Sequence, residues 1–88
     1  MRDVHWDSHA WEEYLALQQN KALFRRVNLL IKDIQRNGYE ATAGKVEMLS
    51  GDLAGKASVR LDKKNRIVFD VTEDAVEIAQ CGGHYDDH

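Results

Sequence analysis

Glu47, Arg66 and His84 are the residues of this chain best equipped for acid–base and phosphate chemistry, and Tyr85 follows the last of them in Gly82-Gly83-His84-Tyr85. RNA carries its own nucleophile, the 2′-hydroxyl. A strand-cleaving site therefore needs a base to take that proton, a positive charge to stabilise the crowded phosphorane, and an acid to protonate the leaving 5′-oxygen. Glu47 suits the base. Arg66 offers a fork of donors that fits phosphate oxygens, and His84 has the side chain whose unperturbed pKa lies nearest neutrality, which suits the acid. Tyr85 could position a phosphate through its hydroxyl or stack on a base. Such a set needs no metal and no cofactor, and His5, His9, His88 and Cys81 lack the paired spacing of a zinc site.

Each residue also has a plainer use. Glu47 lies in a Gly-flanked segment, where a loop carboxylate is the commoner outcome. Spacing by itself favours a salt bridge between Arg66 and Asp62 across a hairpin. His84 and Tyr85 stand near the end of the chain, where last residues usually fray. Residue types and spacing leave both sets of readings open.

The elements that must position these groups follow from periodicity. Residues 2–6 can form a first strand, and Asp7 or Ser8 can cap a helix with Glu12 and Glu13 in its first turn, the sign favoured by the helix dipole. Trp11, Tyr14, Leu15 and Gln18 share a face of that helix, which should end near Gln19-Asn20. A second helix is predicted from Leu23, Val27, Leu30, Ile31 and Ile34, with Asn37-Gly38 as its stop. Residues 39–56 hold Gly44, Gly51 and Gly55 around short apolar pairs and read as loop with one irregular strand near residues 47–53. From Ala57 the period becomes two: Ala57, Val59 and Leu61, then Ile67, Phe69 and Val71, then Val76 and Ile78 in a last strand running to His84 and Tyr85. Setting Leu61 against Ile67 puts Asp62 opposite Arg66 and leaves Lys63-Lys64-Asn65 as the loop, whose last residue, Asn65, tolerates the left-handed conformation. The expected fold is α+β, β-α-α-β-β-β(-β), an antiparallel sheet with a two-helix hairpin on one face and the other face open, carrying Arg60, Arg66 and Val68.

At 88 residues without a Pro-rich or Gly/Ser-rich linker, the chain is read as one domain, residues 1–88, small enough to gain from a partner. The formal net charge of −3 conceals a division. Residues 21–66 hold eleven Lys or Arg against five acids, and residues 67–88 hold six acids and no Lys or Arg. The basic block is either a solvated face or a patch that meets phosphates. Its candidate RNA contacts are Arg60, Lys45, Lys56, Lys63 and Lys64. The lone Cys81 excludes an internal disulfide and fits a reducing compartment, and no apolar run approaches the ~20 residues of a membrane span. A cytoplasmic protein with no membrane association is expected.

The order Trp6…Ala10-Trp11-Glu12-Glu13-Tyr14…Leu29-Leu30-Ile31-Lys32-Asp33-Ile34-Gln35-Arg36, then Gly44-Lys45-Val46-Glu47-Met48-Leu49, Asp52-Leu53-Ala54-Gly55-Lys56, Asn65-Arg66-Ile67-Val68 and the His84-Tyr85 finish, resembles the YoeB/Txe toxins of bacterial toxin–antitoxin systems, within the wider RelE/ParE superfamily. The resemblance implies a RelE-like toxin that enters the ribosomal A site and cuts mRNA. By motif it makes Glu47 the base, Arg66 the phosphate-stabilising arginine, His84 the acid and Tyr85 the terminal tyrosine. It also implies a cognate YefM/Axe-like antitoxin that wraps the toxin, a homodimer, and contact with operator DNA only through the antitoxin. The chain departs from the family's Pro-Glu-Pro-Leu-Lys at Val46-Glu47-Met48-Leu49-Ser50 and from its Trp-Ser-Arg-Arg at Ala57-Ser58-Val59-Arg60. It also continues past Tyr85 with Asp86-Asp87-His88. The alternatives are a toxin-like module that keeps the antitoxin interface and operon autoregulation but has weakened cleavage, and a gyrase-directed toxin, against which the terminal His-Tyr argues.

Overall fold

The computed structural model describes residues 1–82. In chain order the elements are β1 (Asp3–Trp6), α1 (Ser8–Ala16), α2 (Lys21–Asn37), β2 (Val46–Met48), β3 (Ala57–Arg60), β4 (Arg66–Val71) and β5 (Ala75–Cys81). Single 3-10 turns lie at Leu17–Gln19, Gly38–Glu40 and Gly51–Leu53. The helices begin where side-chain oxygens can take up their unpaired N–H groups: Asp7 accepts from the His9 amide and Asn20 from the Leu23 amide. Gly38, at φ 60°, stops α2 and donates its N–H back to the Ile34 carbonyl.

The sheet order is β1-β5-β4-β3-β2. The expected α+β order of elements holds, but the sheet is mixed rather than antiparallel throughout, because the first and last strands run parallel, with Val4 beside Val76 and Trp6 beside Ile78. The helix pair carries the chain from β1 to β2 at the opposite edge of the sheet, and the antiparallel run β2-β3-β4-β5 brings it back beside β1 in the same direction. Both helices lie on one face. Val27, Leu30, Ile31 and Ile34 of α2 and Ala10 of α1 close on Ala57, Val59, Leu61, Ile67, Phe69, Val76, Ile78 and Cys81. Full burial of a side chain of Val, Leu, Ile or Phe size contributes about 1.5–3 kcal/mol, so this layer supplies most of the stabilisation. In α1 the inward position is Ala10, whereas Trp11 and Leu15 are 44% and 40% exposed. The small side chain lets the short helix lie close to the sheet. None of the described helices is long and apolar enough to cross a membrane.

The hairpin register differs from the expected one by two residues. Arg60 pairs with Arg66 and Val59 with Ile67. Asp62 does not face Arg66. Its carboxylate accepts from the backbone N–H groups of Lys64 and Asn65, both at 2.8 Å, and from the Asn65 side chain. The Leu61 amide donates to the Asn65 carbonyl at 2.8 Å. Turn chemistry of this kind needs Asp62 inside the loop, so the strands end at Arg60 and Arg66. Asn65 does not adopt a positive φ, since every described positive φ belongs to glycine.

Residues 41–45 approach the core without a side chain to spare. A Cβ on Gly44 would lie 2.5 Å from Val59 Cγ2 and 2.9 Å from Leu30 Cδ2, whereas one on Gly51 would meet nothing within 4 Å. Gly44→Ala should therefore lower the unfolding free energy by about 1–3 kcal/mol through overpacking, measured as a shift in urea midpoint with unchanged slope. Gly51→Ala, which meets only the cost of its φ of 70°, should lose about 1–2 kcal/mol without displacing Leu30 or Val59.

Candidate active site

Alternation along the strands decides which side chains can meet. Glu47 pairs with Ser58, Ser58 with Val68, and Arg60 with Arg66. All five point to the face away from the helices, because their neighbours Val46, Val59, Ile67 and Phe69 pack toward the helices. Arg66 Nη1 donates to Ser58 Oγ at 3.4 Å. Glu47, Met48, Leu49, Ser50, Leu53, Ser58 and Arg66 line one cleft. The structure thus brings together Glu47 and Arg66, residues far apart in sequence, across β2, β3 and β4. Arg60 stands at the rim, exposed and directly across from Arg66.

This face is less open than expected. Ser58 and Val68 are 1% and 2% exposed. The loop after β2 folds back, the Leu49 amide donating to the Lys56 carbonyl at 2.9 Å, and brings Leu49 and Leu53 to the cleft. A wider depression at the opposite end of the sheet, between Met1–Asp3, Gln35, Arg36, Glu73 and Asp74, contains none of the expected site residues.

His84 and Tyr85 lie outside the described residues. The last described residue before them, Gly82, donates its N–H to the Arg66 carbonyl at 2.8 Å. Gln80 Nε2 donates to the Gly82 carbonyl, and Glu13 Oε1 accepts from the Cys81 amide at 2.9 Å. The Glu13 contact was invisible in the sequence, where Glu13 reads only as a helix-dipole complement. It arises because β1 ends at Trp6 beside Ile78, leaving the outer edge of β5 beyond that point to be met by α1. A register shift between Val68 and Phe69 against β5 inserts Ala79 as an extra residue and turns the strand end.

The basic residues divide by use. Lys45, Lys63 and Lys64 are exposed on loops bordering β2 and the hairpin. Lys56 Nζ is held by Asp70 at 2.7 Å, and Arg26 donates to the Leu61 carbonyl, fastening the hairpin to α2. His5 pairs with Glu77 at 2.7 Å. Among the described residues no group of three His, Cys, Asp or Glu side chains is placed to hold a metal. Burial, reinforced by the Glu13 carboxylate, pushes the Cys81 thiol up to about 12, which leaves it protonated and unreactive at neutral pH.

The family described as the YoeB-like toxin of bacterial type II toxin–antitoxin systems matches residues 6–85. The chain belongs to the YoeB family. As a member it is the toxin of a type II toxin–antitoxin system. It is 38% identical over 81 residues to the toxin YoeB of Escherichia coli K12, covering 91% of this chain and 95% of that one. Its fold is similar to the YoeB chain of the YoeB–YefM complex from Staphylococcus aureus, with a TM-score of 0.86, 35% identity and coverage of 97% and 99%. It is likewise similar to the YoeB dimer from Staphylococcus aureus, with a TM-score of 0.85, 35% identity and coverage of 96% and 98%. Against the YoeB pattern, two of this chain's departures are interior: Ala57 and Val59 are 0% and 1% exposed beneath the helices, facing away from Arg66. A base absent from position 59 is therefore not absent from the cleft. Ser50, by contrast, lines it.

The loop that delivers β2, and with it Glu47, hangs on Asp33. This carboxylate accepts from the Thr42 and Ala43 amides at 2.9 and 2.7 Å and from the Asn37 side chain. The Ala43 amide is the largest influence holding the Asp33 carboxyl below its ordinary value, and the Lys64 amide does the same for Asp62. A depressed folded pKa contributes stability above the ordinary carboxylate value, about 4, and that stability is lost as pH falls through the depressed value. Urea midpoints should therefore be flat from neutrality to about pH 4 as far as these two groups are concerned and drop below it. Asp33→Asn and Asp62→Asn should each be less stable at pH 7 and show a shallower acid decline.

Proposed function

We propose that this YoeB-family toxin is a ribosome-dependent, metal-independent mRNA endonuclease, folded as one toxin domain over residues 1–88, that inhibits translation in the cytoplasm. The observation that carries the reading is the strand pairing that places a carboxylate and two guanidiniums on one patch: Glu47 opposite Ser58, Arg66 bonded to Ser58, and Arg60 opposite Arg66. Like charges directly across a ladder are destabilising, and a bound phosphate reverses the sign of that interaction. Gly82 is fastened to the Arg66 carbonyl, and His84 follows two residues later.

In this mechanism Glu47 takes the 2′-hydroxyl proton and the freed oxygen attacks the adjacent phosphorus. Arg66 stabilises the charge that develops on the equatorial oxygens, and His84 protonates the departing 5′-oxygen. The products are a 2′,3′-cyclic phosphate and a 5′-hydroxyl, with one proton taken up and one released. Tyr85 positions the phosphate, while Arg60, Lys45, Lys63 and Lys64 hold neighbouring phosphates, and Lys56 joins them on exchanging Asp70 for RNA. The chain pairs with a YefM/Axe-like antitoxin and forms a homodimer when free, as the Staphylococcus aureus relatives are seen in a YoeB–YefM complex and as a YoeB dimer. Operator DNA is reached through the antitoxin.

One observation favours a second reading, a toxin-like module that binds antitoxin, autoregulates its operon and cleaves weakly: Lys56 is spent on Asp70 rather than displayed. That reading predicts tight antitoxin binding with intact mRNA on isolated ribosomes. The preferred one predicts growth arrest on induction, relief by the antitoxin, and cleavage mapped by primer extension at start-proximal codons. Glu47→Gln, Arg66→Ala and His84→Ala should each slow cleavage by about 10²–10⁴-fold while retaining the folded circular dichroism spectrum. Unaltered growth with intact transcripts would overturn it.

A further inference from the structure

Among the described residues Ser58 is the single buried polar side chain, at 1% exposure. A hydroxyl on the middle of a three-strand ladder is an unexpected choice there, since β3 neighbours on both sides are apolar and Val68 lies directly across on β4. Three further observations concern its surroundings. Its other cross-strand partner is Glu47, its Oγ accepts from Arg66 Nη1 at 3.4 Å, and it lines the same cleft as both. Residues directly opposite in an antiparallel pair have Cβ atoms about 4.5–5.5 Å apart, so the short Ser58 side chain stands between the carboxylate strand and the arginine. A hydroxyl that accepts from a guanidinium keeps its own proton to donate.

We propose that Ser58 is a positioning residue for the reaction: it holds one arm of the Arg66 guanidinium against β3, and so sets the separation between the phosphate-stabilising group and Glu47. This rests on the nuclease reading above. Arginine carries several rotatable bonds, and a long side chain at the mouth of a cleft samples many of them in water. An acceptor fixed on the sheet, itself shielded from solvent, restricts that sampling before RNA arrives. Loss of the acceptor should leave binding of the ribosome and message, which many lysines and arginines share, and slow the chemical step. Misplacement of a charge-stabilising group by about 1 Å is enough for a fall of up to about a hundredfold.

The test compares Ser58→Ala and Ser58→Cys with the wild-type protein on programmed ribosomes. Alanine removes the γ atom together with its acceptor, whereas cysteine keeps a γ atom, somewhat larger than oxygen, that is only a weak acceptor, so the pair separates packing from hydrogen bonding. Both variants should show kcat reduced about tenfold to a hundredfold with KM unchanged and melting temperatures close to wild type. On an Arg66→Ala background the same substitutions should have no further effect. A loss of equal size on that background, an unchanged kcat, or a loss shown by Ser58→Ala and absent from Ser58→Cys would overturn the proposal. Should the wild-type protein not cleave, the nuclease reading fails and the positioning claim is read separately by nitrogen-15 NMR of the arginine side chains. Slowed rotation of the Arg66 guanidinium in the wild type that speeds up in Ser58→Cys supports it. Equal rotation in the two proteins overturns it.

Discussion

The turn closed by Asp62 sets the geometry on which the cleft depends. Its carboxylate gathers the amides of Lys64 and Asn65 and the side chain of Asn65, which ends the ladder at the Arg60–Arg66 pair. A register two residues longer would place Arg66 against Asp62 and neutralise it at the hairpin tip. The observed register instead places Arg66 one diagonal step from Ser58 and sets it facing another arginine. The stability of a turn and the strand position of a guanidinium are thus decided by the same carboxylate.

The helices act at a distance from the cleft. α2 contributes the apolar row that makes one face of the sheet the inside, and its Asp33 captures the amides of Thr42 and Ala43 as the chain leaves the helix. Gly44 then passes between Leu30 and Val59 with no room for a Cβ. That passage brings β2 to the edge of the sheet with Glu47 outward. On the other side α1 lends Glu13 to the exposed edge of β5, where β1 has already ended. Both segments that lead toward the proposed site, the short strand and the end of β5, are therefore held by carboxylates that complete otherwise open backbone hydrogen bonds.

Much of this was legible in the residues. The rows at Leu23–Ile34 and from Ala57 onward have unambiguous periods, and the Asp7 cap and the Gly38 stop carry standard signals, so the α+β order and the outward direction of Arg60 and Arg66 followed. The hairpin register did not, because Asp62 supports two local solutions, a charge pair and an Asx turn, and local propensity does not rank them. The parallel β1–β5 pairing was also hidden. Two strands separated by most of the chain leave no trace of relative direction in their own alternation.

Sequence alone determined the residue types, the alternation that sends Arg60, Arg66 and Val68 to one side of their strands, and the family, since these reside in order and spacing along the chain. Tertiary structure decided that Glu47 and Arg66 share a cleft, that Ser58 is buried between them, that Lys56 is engaged by Asp70, and that Ala57 and Val59 lie under the helices. The physical reason is that proximity across a sheet depends on strand order and register. Those are settled by the summed packing of the whole core and by a few side-chain bonds to backbone amides, not by any segment's own preference.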